Sequence, residues 1–535
     1  MQIQKWIIFV RFLWSPCHET ACCFFHFFLI FGGGWNLLRA EAPELIPLSE
    51  GMIQNAGSGT EIWNGGESDG LQEIVKTAVR VSPFSCNAMV RLSWAEFEKE
   101  EGHYDFSRMD ASFRNALKCG QKLNLAVFMT SGVRSFSVNG AFCAYPEYLH
   151  RQMQAGAQPD RKFTIPYGSF TQWEPDFQND LFFERYDALL GAFAQFLEGS
   201  VTVGERTVTR RKLVRFIEMR HFGWWGEGAY PKELLPDNSE CLIRYVDSYR
   251  RHFPSIRLIA PTNGMICSEN YRPLLDYHFH LLTARNEAGL FGLFRDNYGW
   301  NEDGNYVQAL CYDKNLWEKD GVRLVSLLRE RWKDAPVTGE PGRWSPDGKY
   351  VPYHDLERQA LCLRPCVIRN CNVSLGETFT TNANGFDVRK DPVALANFHH
   401  FYSIIGFRYV FQTPRLELTE NRLKISLNWA NSGLTPTYDV WRIRFLLRAP
   451  DGQELWSAVS SFDLRTLLPN PDVPPGTLSD FRNVTEVFDF TTSEIPAGSV
   501  FFLRIEDPDG ISPPMALGIR GRTKTGEYPL PFDGF

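Results

Sequence analysis

Between residues 50 and 412, short apolar runs alternate with longer amphipathic stretches, the signature of repeating strand–helix units. The runs predict strands at Ala88–Leu92, Leu123–Met129, Val214–Met219, Ile256–Ala260, Leu290–Phe294, Pro336–Gly339 and Cys366–Asn370, with a first strand inside Gly51–Trp63. Helical spacing is clear over Asp180–Glu198 and Ser239–His252. Eight such strands separated by helices predict an α/β fold of the (β/α)8 TIM-barrel type. The competing open, doubly wound sheet is disfavoured, because no Gly-rich dinucleotide fingerprint or Walker A sequence follows any strand. The stretch from Thr130 to Asp180, rich in Pro, Tyr, Phe, Gln and Gly, reads as a long connection after the third strand. Connections of that length inside a domain are functional or disordered, and this one leaves from the C-terminal face of the barrel.

After Phe411 the period changes. Leu416–Trp429, Asp439–Leu447 and Val500–Ile505 alternate with period two and are punctuated by Gly, Pro and Asn, which predicts a C-terminal all-β immunoglobulin-like sandwich. The expected division is residues 1–42 as a signal peptide or N-terminal hydrophobic segment, 43–412 as the barrel and 413–535 as the sandwich. At the N-terminus, Trp6–Trp14 and Ala21–Leu38 are apolar, Lys5 and Arg11 precede the second run, and Ala40-Glu41-Ala42 supplies an A-x-A site. That order fits a secretory signal, which places the protein outside the cell, in a periplasm or on a cell surface. An uncleaved membrane anchor is the alternative, since the second run approaches the roughly 18 residues needed to span a bilayer; His26 and three consecutive glycines count against it.

Charge and cysteine content narrow the class further. A net charge of −7 with no Lys/Arg-rich run gives no footprint for nucleic acid. The 12 cysteines, with Cys17, Cys22 and Cys23 in the N-terminal segment, include no CxxC pair. They read as buried small side chains, with one or two disulfides possible after export. Cys362, Cys366 and Cys371 lack a nearby His to complete a zinc spacing. No metal or organic cofactor is implied, and the sequence sets no oligomeric state.

Strand ends carry the candidate chemistry, because barrel enzymes keep their catalysts there. After the fourth strand comes Gly223-Trp224-Trp225-Gly226-Glu227-Gly228, and after the seventh Thr338-Gly339-Glu340-Pro341. A carboxyl beside indole rings is desolvated, which raises its pKa and suits a general acid; Trp225 offers a flat face to a sugar. Two carboxyls across one barrel mouth are the apparatus of glycoside hydrolysis. Two readings of Glu227 are open, an exposed strand-end residue among core tryptophans or a catalyst, and Glu340 is equally readable as a turn glutamate. Arg91, ending the second strand, can orient a carboxylate and keep it ionised, or form a structural salt bridge. Asp296 and Asn297 at the sixth strand end, Asn370 and Asn372 after the eighth, and Trp344 and Trp173 are further candidates for sugar contacts, with Glu377 a reserve carboxylate. His221 is either a substrate donor or a satisfied core histidine.

RLSWAEFEKEEGHYDF resembles the second-strand segment of β-galactosidase-like members of retaining glycoside hydrolase clan A. The chain as a whole is similar to a bacterial family of glycosidase-like barrels with a β-sandwich tail, known as a domain of unknown function. The likeness lies in GWWGEGAY, FRDNYGWNEDGNY, PVTGEPG and IIGFRYVF, the last leading into LKISLNWANSGLTPTYDVWRIRFLL. The clan places its acid/base after strand four and its nucleophile after strand seven, so the resemblance implies those roles for Glu227 and Glu340. One departure stands out: Gly226 occupies the position where clan A enzymes carry the asparagine that binds the sugar 2-hydroxyl. The expected function is an exported glycoside hydrolase-like protein acting with retention on a poly- or oligosaccharide. The rival is a catalytically inert carbohydrate-binding or cell-surface protein on the same scaffold.

Overall fold

The computed structural model describes residues 43–50, 53–63, 87–130, 136–165, 170–262, 269–298, 317–341, 353–370, 373–374, 378–379, 392–419, 421–491 and 494–532. The chain divides into two compact units, Met1–Arg39 and Ala40–Phe535. The first, with the expected signal segment, lies outside the described residues. No described helix is long and apolar enough to cross a membrane.

Eight parallel strands close into a barrel: β1 Gly59–Trp63, β2 Asn87–Ser93, β3 Leu123–Phe128, β4 Val214–Glu218, β5 Arg257–Pro261, β6 Gly292–Tyr298, β7 Val337–Pro341 and β8 Val367–Asn370. β1 pairs with β8 to complete the ring. Every predicted strand is found, with shifts of a few residues at the ends. The largest shift is in β6, which runs on to Tyr298 and so takes in Asp296 and Asn297, expected in the following loop. Helices Ser107–Cys119, Asp180–Glu198, Glu240–His252, Leu275–Thr283, Leu324–Glu330, Tyr353–Leu363 and Pro392–Ile404 stand between or after the strands. Asp180–Glu198 begins on Asn179, whose side chain accepts from the Phe182 N–H, a standard N-cap. Its apolar face, Phe182, Tyr186, Leu189, Leu190, Phe193 and Leu197, is buried against the barrel's outer layer.

The long connection after β3 is not a structureless loop. Phe136–Val138, Ala141–Cys143, Phe170–Glu174 and Arg161–Ile165 form a four-stranded sheet in that order, with helix Glu147–Gln154 between its halves. Two of these strands have three residues each, too short for a period-two pattern to register.

The C-terminal residues form two antiparallel sheets. One joins Tyr409–Thr419, Arg422–Asn431 and Arg482–Asp489; the other orders Glu454–Val459, Arg442–Arg448, Val500–Glu506 and Glu527–Leu530. A single apolar cluster takes Phe411, Ile425 and Trp429 from the first sheet and Phe445, Leu503 and Ile505 from the second. These sheets brace the barrel floor. Tyr438 joins Phe216, Ile259, Phe294, Cys366 and Val367 in a small buried cluster inside the barrel, and its hydroxyl donates to Trp332 O at 2.6 Å. Arg215 of β4 reaches Asp439 at 2.9 Å. Residues expected to begin the barrel also turn to these sheets: Ile46 N donates to Gly518 O at 3.0 Å, and Arg520 pairs with Glu44 and Glu50. Among the described cysteines, Cys119, Cys241 and Cys366 stand as free thiols.

Candidate active site

The loop that follows β4 is built by its glycines. Gly223 has φ +88° and Gly226 φ +67°, a region L-residues seldom enter. Four short backbone bonds fold the loop on itself: Gly226 N to Gly223 O, Glu227 N to Trp224 O, Gly228 N to Phe222 O and Trp224 N to Ala229 O, all 2.8–2.9 Å. Thr130, just past β3, donates to Gly223 O at 2.5 Å. Trp225 also sits at positive φ, +53°, a strained conformation for a bulky side chain. A Cβ on Gly226 would lie 2.5–2.6 Å from the Cβ, Cα and O of Arg220. An asparagine therefore has no room there, which accounts physically for the departure from the clan A pattern.

This loop carries Glu227 back over the barrel mouth. Oxygens of Glu227, Asp296 and Glu340 lie within 4.8 Å of one another, contributed by the β4 loop, β6 and β7. The β6–β7 register shifts between Arg295 and Tyr298, an irregularity of the kind that re-aims a side chain next to a site. Glu227 is not the exposed residue of the simpler sequence reading: it is 7% exposed. Burial, reinforced by the Asp296 and Glu340 carboxyls, raises its pKa well above the carboxylate range against the opposing pull of Arg220 and Arg91.

Guanidinium groups surround the carboxyls. Arg220 Nη1 donates to Glu227 Oε1 at 2.9 Å, and Arg91 Nη1 lies 3.6 Å from the same oxygen. Arg369 Nη1 is 4.0 Å from Glu340 Oε2. Burial, and then the charge of Arg220, bring the Arg91 pKa down to about 10. Beneath this layer Arg220 also pairs with Glu218 (2.7 Å), and Arg369 with Glu218 and with Glu61 (2.9 Å). Asn124 donates to Glu61. Phe294 receives both guanidiniums on its ring, Arg220 at 4.1 Å and Arg369 at 4.6 Å from the centroid.

The structure thus brings Glu227, Glu340, Arg91 and Asp296 together. Trp225, partly buried, lies in the same loop as Glu227. His221 does not join them. It is 0% exposed, bonded to the Tyr277 hydroxyl at 2.9 Å and packed against Tyr245. Burial pushes its pKa down to about 3, the environment of a core histidine. Trp173 belongs to the inserted sheet, where its Nε1 donates to Val138 O at 3.0 Å. Trp344, Asn372 and Glu377 lie outside the described residues, as do the side chains of Asn297 and Asn370. Glu61, Glu218, Arg220 and Arg369 were missed by sequence reasoning. For Glu61, Glu218 and Arg369 the signal is a charged residue inside an otherwise apolar strand, as in GTEIW, VRFIE and VIRN, which burial obliges to find a partner; Arg220, past the end of its strand, has no such signal.

Three carboxylates so close have the oxygen chemistry of a site for a hard divalent cation. Arg91, Arg220 and Arg369 compete for the same oxygens.

No family model matches the chain, and no curated protein matches it. Among solved structures, similarity is found to GH5_18 from Streptomyces cattleya in complex with GlcNAc, at 12% identity and TM-score 0.31, over 59% of this chain and 70% of that one. A second is the arabinose-bound MgGH51 α-L-arabinofuranosidase, at 10% identity and TM-score 0.25, over 75% of this chain and 58% of that one. Both are glycoside hydrolases; likenesses this distant carry no argument about function, which has to come from the site.

Proposed function

We propose that the protein is a retaining glycoside hydrolase, with Glu227 as general acid/base and Glu340 as nucleophile. The observation that carries this reading is the carboxyl cluster at the barrel mouth, with oxygens of Glu227 and Glu340 within 4.8 Å. Retaining enzymes hold their two carboxyls about 5–5.5 Å apart, whereas inverting enzymes leave about 6.5–9.5 Å for a water. The surroundings of Glu227 suit a general acid. Glu227 is desolvated and faces two other carboxyls, so it keeps its proton for the leaving oxygen. Glu340 lies beside the Arg369 guanidinium, which favours the carboxylate needed to attack the anomeric carbon. In the first step Glu340 forms the glycosyl ester as Glu227 protonates the departing oxygen. In the second, Glu227 takes a proton from water as that water displaces Glu340. Asp296, in contact range of both, strengthens the hold of Glu227 on its proton.

Trp225 is the proposed platform for a sugar ring, with Asn297, Trp344 and Asn372 kept as candidate contacts. The remaining expectations stand as proposals too: residues 1–42 as an export signal, a barrel over 43–412, and an immunoglobulin-like sandwich over 413–535. In that sandwich the fourth strand pairs with the third.

The test is hydrolysis of a panel of 4-nitrophenyl glycosides and plant or algal polysaccharides, with product anomers followed by NMR. Wild type is expected to turn over at least one member with retention, and to do so equally in excess EDTA. Loss of activity in EDTA would favour a metal held by the three carboxylates. Binding without turnover would favour the inert carbohydrate-binding alternative.

A further inference from the structure

We propose that Arg220 is the positioning residue of this site: it fixes the direction of the Glu227 carboxyl and is itself held by Glu218. The catalytic consequence rests on the glycosidase reading above; the positioning rests on geometry alone. Arg220 is 1% exposed, and its guanidinium is committed on every side. Nε and Nη2 both donate to Glu218 Oε2, at 2.9 and 2.7 Å. Nη1 donates to Glu227 Oε1 at 2.9 Å and to the Trp225 carbonyl at 3.1 Å. The flat face rests on Phe294 at 4.1 Å. A planar fork with five N–H donors is the only side chain that meets two carboxylates and a carbonyl in this way.

Gly226 belongs to the same device. The absent Cβ lets the loop lie directly on the Arg220 backbone, and that contact brings the Trp225 carbonyl and Glu227 within reach of one guanidinium. Glu218 in turn is held by Arg369, and Arg369 by Glu61. The direction of Glu227 is therefore set by a buried chain across β4, β8 and β1, none of which carries it. The charged groups facing Glu227 are Arg220 from beyond β4, Arg91 from β2, Asp296 from β6 and Glu340 from β7.

Opposite pH shifts test this, because general loss of structure cannot produce them. Glu218→Gln frees the Arg220 charge for Glu227 and is expected to move the alkaline limb of kcat/KM down by about one pH unit, a tenfold change in rate on that limb. Arg220→Gln removes the cation and is expected to move the limb up. Arg220→Lys keeps charge but not the fork, so the limb stays near wild type while kcat falls about 100-fold at similar KM. A second readout needs no turnover: Tm against pH, with and without Glu227→Gln, in each background. A carboxyl whose folded pKa is raised contributes stability below its unfolded pKa and loses it as pH rises through the folded one. The pH at which the wild-type minus Glu227→Gln difference completes its fall is expected to drop in Glu218→Gln. In Arg220→Gln, or in Arg220→Lys if that variant fails to fold, it should rise or stay, respectively. Shifts of Glu218→Gln and Arg220→Gln in the same direction, or no shift in Glu218→Gln, overturn the proposal. If instead Glu227→Gln leaves turnover intact, the glycosidase reading fails, and the thermal readout still decides the role of Arg220.

Discussion

Between the two C-terminal sheets the buried side chains are apolar, Phe411, Trp429, Phe445, Leu503 and Ile505 among them. The middle of the barrel instead buries Glu61, Arg91, Glu218, Arg220, Glu227 and Arg369, each no more than 7% exposed. The sheets do bury charge, but at their margins and with one charged partner each: Glu527 against Arg448 at 2.7 Å, and Asp507 against Lys122 at 3.2 Å. Apolar burial stabilises a fold directly, whereas buried ion pairs roughly cancel their desolvation cost and are costly when one partner is lost. A charged barrel core is thus poorly explained by stability. Its upper end opens on three carboxyls, which is where perturbed groups of this kind do chemistry. The core between the C-terminal sheets is built to hold, and the charged barrel core carries the proposed site.

The largest effects should come from the carboxyl pair. Glu340→Gln is expected to lower kcat at least about 10⁴-fold, since no covalent route remains, and Glu227→Gln by about 10²–10⁴-fold. Substrates with activated aryl leaving groups should suffer less in Glu227→Gln, because they need less protonation. Equal losses for activated and unactivated substrates would contradict the acid role.

The C-terminal side of the comparison is tested by Leu503→Ala. It should cost about 2–5 kcal/mol in denaturant unfolding and leave the pH–rate profile where it was. A displaced profile would mean that the two regions are not separate in function.

Glu174 lies between these extremes. It is buried in the inserted sheet, accepts from Tyr230 and Gln172, and burial raises its pKa to about 7. Its contribution to stability should be complete below about pH 4.5 and lost as pH rises through about 7, a change on the order of 3 kcal/mol relative to Glu174→Gln. Tyr230 stands three residues beyond Glu227, so unfolding measured from pH 4 to 8 also reports how firmly the Glu227 loop is anchored. A pH-independent difference between wild type and variant would rule this out.

Gly226→Asn touches no reacting atom; it should cost about 1–3 kcal/mol from the forced φ, and more from the approach of its Cβ to Arg220 at 2.5–2.6 Å. It should nonetheless reduce kcat, because the loop must lift from Arg220. Restored or improved activity would mean that the site accepts the clan A asparagine after all.

The barrel was legible in the chain because seven of its strands are short runs, mostly apolar, bounded by helical or polar sequence; the first, with a weaker pattern, was placed only near Gly51–Trp63. The carboxyls and Arg91 were legible because strand ends in a barrel are chemically special. What stayed hidden was whatever depends on pairing across the barrel. Arg220 sits between Met219 and His221 in a segment that reads as the tail of a strand, and nothing local tells that it faces Glu218 and Glu227. Gly226 could be seen as a departure but not explained, since the clash it avoids is with a backbone reached only by the folded loop. The inserted sheet escaped notice because three-residue strands carry no period. His221 shows the converse: a histidine near the Glu227 loop in sequence, yet turned into an aromatic core by the sharp bend at Gly223.

The most direct test of the central claim is to trap the glycosyl–enzyme. The folded wild-type protein would be incubated with a panel of 2-deoxy-2-fluoroglycosyl fluorides and its peptides mapped by mass spectrometry. A single sugar adduct on Glu340, absent in Glu340→Gln, is the expected result. An adduct on Asp296 or elsewhere, or turnover of a glycoside with inversion and no adduct, would contradict it.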